Sequence, residues 1–145
     1  MRLLTALVML IGLGSVPSTA MANRVCSPAT YERADASLVN AAGSWGSLLR
    51  HQKTFASCDD GALAEGYSDA VVTLFAHRWD QFDAFVALSG QSRAFGRWVI
   101  RHIDASASPD DLKKVVHNAA RCTGSAETKD LCGEVSKAAR DALKD

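Results

Sequence analysis

Glu65, Asp69, Thr73 and His77 recur every fourth residue, the spacing that stacks side chains into one column on an α-helix. Asp59 and Asp60 stand immediately before that helix. Four carboxylates and an imidazole on or near one surface could perform general acid–base chemistry or hold a divalent cation. The competing reading is a solvated helix face, with acids gathered near the N-terminus because the helix dipole favours them there. Arg93, Arg97 and Arg101 form a basic column of the same spacing. They could pair with the acidic column across an antiparallel contact, or present a basic stripe to a partner. Exposed pairs contribute only about 0–1 kcal/mol each, so either use concerns register or specificity more than stability.

The usual companions of a catalytic or metal centre are missing. The Asp-x-Asp-x-Asp-Gly ligand order of an EF-hand is not found. His51, His77, His102 and His117 never fall four apart, and no His-Glu-x-x-His run occurs. Serine nucleophile elbows and glycine-rich phosphate loops are absent. We therefore assign no catalytic residue, no metal ligand and no cofactor, and keep Asp59, Asp60, Glu65, Asp69, His77, Arg93, Arg97 and Arg101 as candidate binding residues.

The elements that must position these groups read as helices. The stretch from Asp60 to Trp79 carries apolar residues at Leu63, Tyr67, Ala70, Val71, Leu74, Phe75 and Trp79, a helical series. Upstream, Ser27-Pro28 is a helix start, followed by apolar positions from Tyr31 to Phe55. Gly43 and Gly46 each cost about 1 kcal/mol inside a helix, so a break is placed at Gly43-Ser44 with Ser44 capping a second segment. Further helices are expected over Gln81–Leu88, stopping at Ser89-Gly90, and over Arg93–Ile103, capped by Ser92. Another should start at Ser108-Pro109-Asp110-Asp111, a cap, an N1 proline and two first-turn acids. The last should span about Ala126 to Leu143. No stretch alternates at period two as a strand would. The expected fold is all-α, one domain of about six helices, closed as a bundle or stacked as a short helical-hairpin superhelix. Trp45, Trp79 and Trp98 lie on apolar stripes, as core residues do.

Residues 1–22 read as a secretory signal peptide, and 23–145 as the helical domain. Arg2 precedes the apolar run Leu3–Val16, and Ala20-Met21-Ala22 supplies small residues for cleavage. That run is 14 residues long, short of the ~20 that span a bilayer. The chain has 16 basic and 16 acidic residues; losing Arg2 leaves a net charge of about −1. So balanced a chain is not built to hold nucleic acid or an anionic membrane through bulk charge. Cys26, Cys58, Cys122 and Cys132 all follow the leader. An even count in an exported chain argues for two disulfides. Cys122 and Cys132 would staple a helix–helix turn, which leaves Cys26 with Cys58, although sequence permits three connectivities. A Cys26–Cys58 bridge requires the break at Gly43, because an unbroken helix over that span would be on the order of 40 Å long.

Over CDDGALAEGYS (residues 58–68) and RHIDA (residues 101–105), the chain resembles a group of small exported bacterial helical proteins to which no activity is attached. More loosely it is similar to the periplasmic immunity proteins that neutralise type VI secretion amidases. The shared features are a leader, a small all-α domain, cysteine pairs, and a cysteine followed by an acidic, tyrosine-containing helix. That resemblance implies a periplasmic or secreted protein-binding module, of the immunity or inhibitor kind, with another protein as partner. Neither nucleic acid nor membrane is expected as a partner, and a homodimer is open to it. The alternative is a small periplasmic enzyme or a ligand- or metal-binding domain using Glu65 and Asp69 with His77.

Overall fold

A computed structural model describes residues 25–145; the expected leader, residues 1–22, lies outside them. The described residues form seven α-helices: α1 (Pro28–Ala41), α2 (Trp45–Phe55), α3 (Gly61–His77), α4 (Phe82–Gln91), α5 (Arg93–Arg101), α6 (Pro109–Ala119) and α7 (Ala126–Ala142). Single 3₁₀ turns, Ala56–Cys58 and Trp79–Gln81, lead into α3's approach and into α4. Among the described residues there is no strand, and no helix is long and apolar enough to cross a membrane. The all-α class therefore holds, with seven helices rather than about six.

Serine starts most of these helices. Ser27, Ser44, Ser92, Ser108 and Ser125 each accept the backbone N–H three residues on, at 3.1–3.5 Å. Each satisfies an otherwise orphaned donor, worth about 1 kcal/mol. Pro28 and Pro109 follow two of these caps at the first helical position. The α4 helix departs from expectation. It runs through Ser89 and Gly90 to Gln91, because Ser89 is buried against α5 and the break comes where Ser92 turns extended.

The α3 helix is central. Leu63, Tyr67, Ser68, Ala70, Val71, Val72, Leu74 and Phe75 are all buried, more than one amphipathic stripe would need. The α1–α2 hairpin lies on one side. There Gly66 lets α1 approach so closely that a β-carbon would sit 2.8 Å from Leu38 Cδ2. The α6–α7 hairpin and the α4–α5 pair complete the enclosure. Trp45, Phe75 and Phe85 meet with ring centroids 4.6–5.2 Å apart, joining α2, α3 and α4. Every helix contributes to one continuous apolar cluster. Trp79, expected in the core, packs against its edge and stays partly exposed, as do Val116 and Leu131.

Cys26 is bonded to Cys58, with Cα atoms 4.9 Å apart, and Cys122 to Cys132, at 6.4 Å. No free cysteine remains among the described residues. The turn at Gly43-Ser44 folds α2 back along α1 and returns Cys58 to Cys26. Two such bridges suit an oxidising, extracytoplasmic compartment.

Candidate functional site

The structure divides the acidic candidates between two places. Glu65 and Asp69 are exposed on the outer face of α3. Among the described residues neither makes a side-chain hydrogen bond or an ion pair. Asp60 caps α3, its Oδ1 accepting the Gly61 N–H at 2.8 Å. Asp59, one residue earlier, turns the other way and enters the protein. His77, at the far end of α3, lies twelve residues from Glu65, about 18 Å along the axis. Its Nε2 meets Asp111 Oδ1 of α6 at 2.9 Å. Lys114 donates to the same carboxylate at 2.8 Å, and these two partners hold Asp111 below the usual carboxylate range. The column is thus continuous along the helix but does not converge on a point.

The interior polar cluster lies between α3 and α5. Trp98 Nε1–H donates to Asp59 Oδ2 at 2.7 Å. His102 Nε2 lies 3.3 Å from both carboxylate oxygens, with hydrogen-bond geometry only to Oδ2. The other ring nitrogen, Nδ1, is 3.1 Å from Ser68 Oγ, and Ser68 donates to Asp104 Oδ2 at 2.7 Å. The imidazole is therefore set between two carboxylates, one reached directly and one through the serine. Burial alone would push the Asp59 carboxyl up. The hydrogen bonds from His102 and Trp98, with the charges of His102 and Arg101, outweigh it and hold Asp59 below its ordinary value. Asp104 behaves likewise: burial opposes ionisation, but hydrogen bonds from Ser106 and Ser68 keep its carboxyl low.

Carboxylate, imidazole and hydroxyl in this order are the members of a hydrolytic triad. The arrangement here cannot work as one. Ser68 is 1% exposed, leaving no approach for a substrate carbonyl, and its proton is already committed to Asp104. The cluster instead locks the loop after α5 and the entry to α3 onto the core.

A second cluster joins α1, α2 and α3. His51, also buried, meets Tyr67 Oη at 2.8 Å through Nδ1 and the Ala34 carbonyl at 3.0 Å through Nε2. A carbonyl only accepts, so Nε2 carries the proton and Nδ1 accepts from tyrosine. Desolvation dominates, holding the imidazole below its ordinary value despite the carbonyl. Burial, followed by the charge of Asp59, pushes the Tyr67 hydroxyl well above the ordinary phenol range.

The basic column is exposed throughout. Among the described residues none of its arginines forms an ion pair. Arg101 lies near enough to Asp59 to lower its carboxyl. Arg93 and Arg97 face α7 rather than Glu65 and Asp69. Sequence reasoning missed the interior set: Ser68, His102, Asp104, His51 and the inward turn of Asp59. One signal was available. Ser68 lies four residues before Val72 and seven before Phe75, on the buried flank of the helix, where a hydroxyl needs a partner. Among the described residues no group of His, Cys, Asp and Glu side chains is arranged to hold a metal ion. Comparison with family models, with curated proteins and with solved structures returns no match.

Proposed function

We propose that this protein is an extracytoplasmic protein-binding module, acting as an immunity or inhibitor protein, and that Glu65 and Asp69 belong to its partner-selecting face. The observation that carries this reading is the pair itself: two exposed carboxylates one turn apart, without partners among the described residues, on the most deeply anchored helix. Charges fixed on a rigid helix suit partner choice, because opposite charge speeds encounter and like charge rejects wrong partners. The acid–base alternative loses support from the turn of His77 to Asp111, well away from Glu65. The loose similarity to amidase immunity proteins supplies the partner class, a secreted cell-wall amidase.

The test is the double reversal Glu65→Lys/Asp69→Lys. The melting temperature should stay within a few degrees, since neither side chain is buried or paired. Capture of the partner from periplasmic extract should weaken, and protection of cells expressing an exported amidase should fall with it. The residual association should lose its salt dependence or reverse it. Turnover of a small substrate by the purified protein, abolished by Glu65→Gln with the fold intact, would overturn the proposal.

A further inference from the structure

A cleft of about 470 Å³ opens between the α4–α5 pair and α7. Arg93 and Arg97 of α5 line one side, and Glu127, Asp130 and Glu134 of α7 line the other. Residues 127, 130 and 134 follow the i, i+3, i+7 spacing of a single helix face, so three carboxylates are presented together. Opposite charges this placed usually close into ion pairs, yet among the described residues none of the five does. Something of matching charge can therefore lie between them.

The floor of the cleft gives an independent sign. Ser89 lines it, is only 7% exposed, and its Oγ has no hydrogen-bond partner. A buried hydroxyl left unpaired is unfavourable, and a bound polar group would satisfy it. Gly96 lets α5 lie close on Ser89, where a β-carbon would press to 3.1 Å from Oγ.

We infer that this cleft binds a small zwitterion, a free amino acid or short peptide, with its carboxylate on Arg93 and Arg97 and its ammonium on the α7 acids. Guanidinium groups grip carboxylates through two parallel hydrogen bonds, and a row of carboxylates takes an ammonium equally well. Ser89 Oγ is covered as it stands, and a rotation of its side chain would bring it to the ligand between the two ends. A simple anion would leave three acids facing it, and a simple cation would meet two arginines; only a molecule carrying both charges satisfies both walls. The volume lies within the range of small-molecule sites. This inference is independent of the face formed by Glu65 and Asp69.

The amide signals of Gly90 and Gly96 are the natural reporters in a nuclear magnetic resonance titration of the purified protein. The probes are free lysine and the dipeptide alanyl-alanine, with propionate and propylamine as single-charge controls. Saturable shifts of both glycines are expected with the zwitterions, and binding at least tenfold weaker with either control. Arg97→Gln and Glu134→Gln should each weaken zwitterion binding about tenfold while the rest of the spectrum keeps its native dispersion. Ser89→Ala, which removes the hydroxyl without adding volume, should weaken it without unfolding. Equal binding of propionate, or absence of saturable shifts with either zwitterion, overturns the inference. So would unaltered titration in both charge variants, which would make the two walls a purely internal arrangement.

Discussion

Replacing Asp59 by Asn keeps shape and size but removes the charge that Trp98 and His102 address. In the native protein Asp59 Oδ2 accepts the indole N–H at 2.7 Å and lies 3.3 Å from His102 Nε2, with both side chains largely shielded from water. Hydrogen bonds to a charged group contribute about 1.5–3 kcal/mol each. An asparagine oxygen in the place of Oδ2 can still accept from both Trp98 and His102, but without the charge, and its amide group, in the place of Oδ1, would lie 3.3 Å from His102 Nε2, where it can accept nothing. We therefore predict a loss of about 2 kcal/mol at neutral pH, read as a shift of about 1 M in the urea midpoint for an m-value of ~2 kcal/mol/M. The pH dependence is the sharper test. Asp59 is held below its ordinary value when folded. Its contribution is therefore fully present above the unfolded-state pKa of about 3.9, and is lost as pH falls through the lower folded value. The gap between native protein and D59N should be widest near neutrality and close as the pH drops below about 4. Urea titrations at pH 7, 5 and 3 measure it. A gap under about 0.5 kcal/mol at pH 7, or one equally wide at pH 3, would refute the account of this cluster.

Two further measurements probe the framework. Leu74→Ala removes a side chain 1% exposed beneath α3 and should cost about 2–5 kcal/mol in chemical denaturation; a change below half of one kcal/mol would mean that face of α3 is not packed. Serine substitution of each cysteine pair should destabilise by about 2–4 kcal/mol, and loss of Cys26–Cys58, which closes 32 residues against 10 for Cys122–Cys132, should cost about 1 kcal/mol more on chain-entropy grounds. Equal or reversed urea midpoints for the two double variants would show that loop entropy does not set the order.

What the sequence determined by itself was local. Helix starts were legible because a serine cap satisfies an orphaned N–H three residues on, as Ser27, Ser44, Ser92 and Ser108 do, with proline next in line after Ser27 and Ser108. The break at Gly43-Ser44 and the buried stripe of α3 followed from the same short-range rules, backbone entropy and the 3.6-residue period. The end of α4 was misread because Ser89-Gly90 has turn chemistry, while the packing of Ser89 against α5 keeps the helix going. Tertiary structure alone decided where the polar groups went. Asp59 and Asp60 are adjacent and chemically identical, yet one caps a helix in solvent and the other anchors Trp98 and His102, 39 and 43 residues away. Likewise the arginine column could, from sequence, either pair with Glu65 and Asp69 or serve a partner; in the fold Arg93 and Arg97 face the acids of α7, and Arg101 lies near Asp59. A periodic pattern states which side chains share a helix face. Which other helix that face meets depends on how seven apolar stripes close around one core, and that is a property of the whole chain.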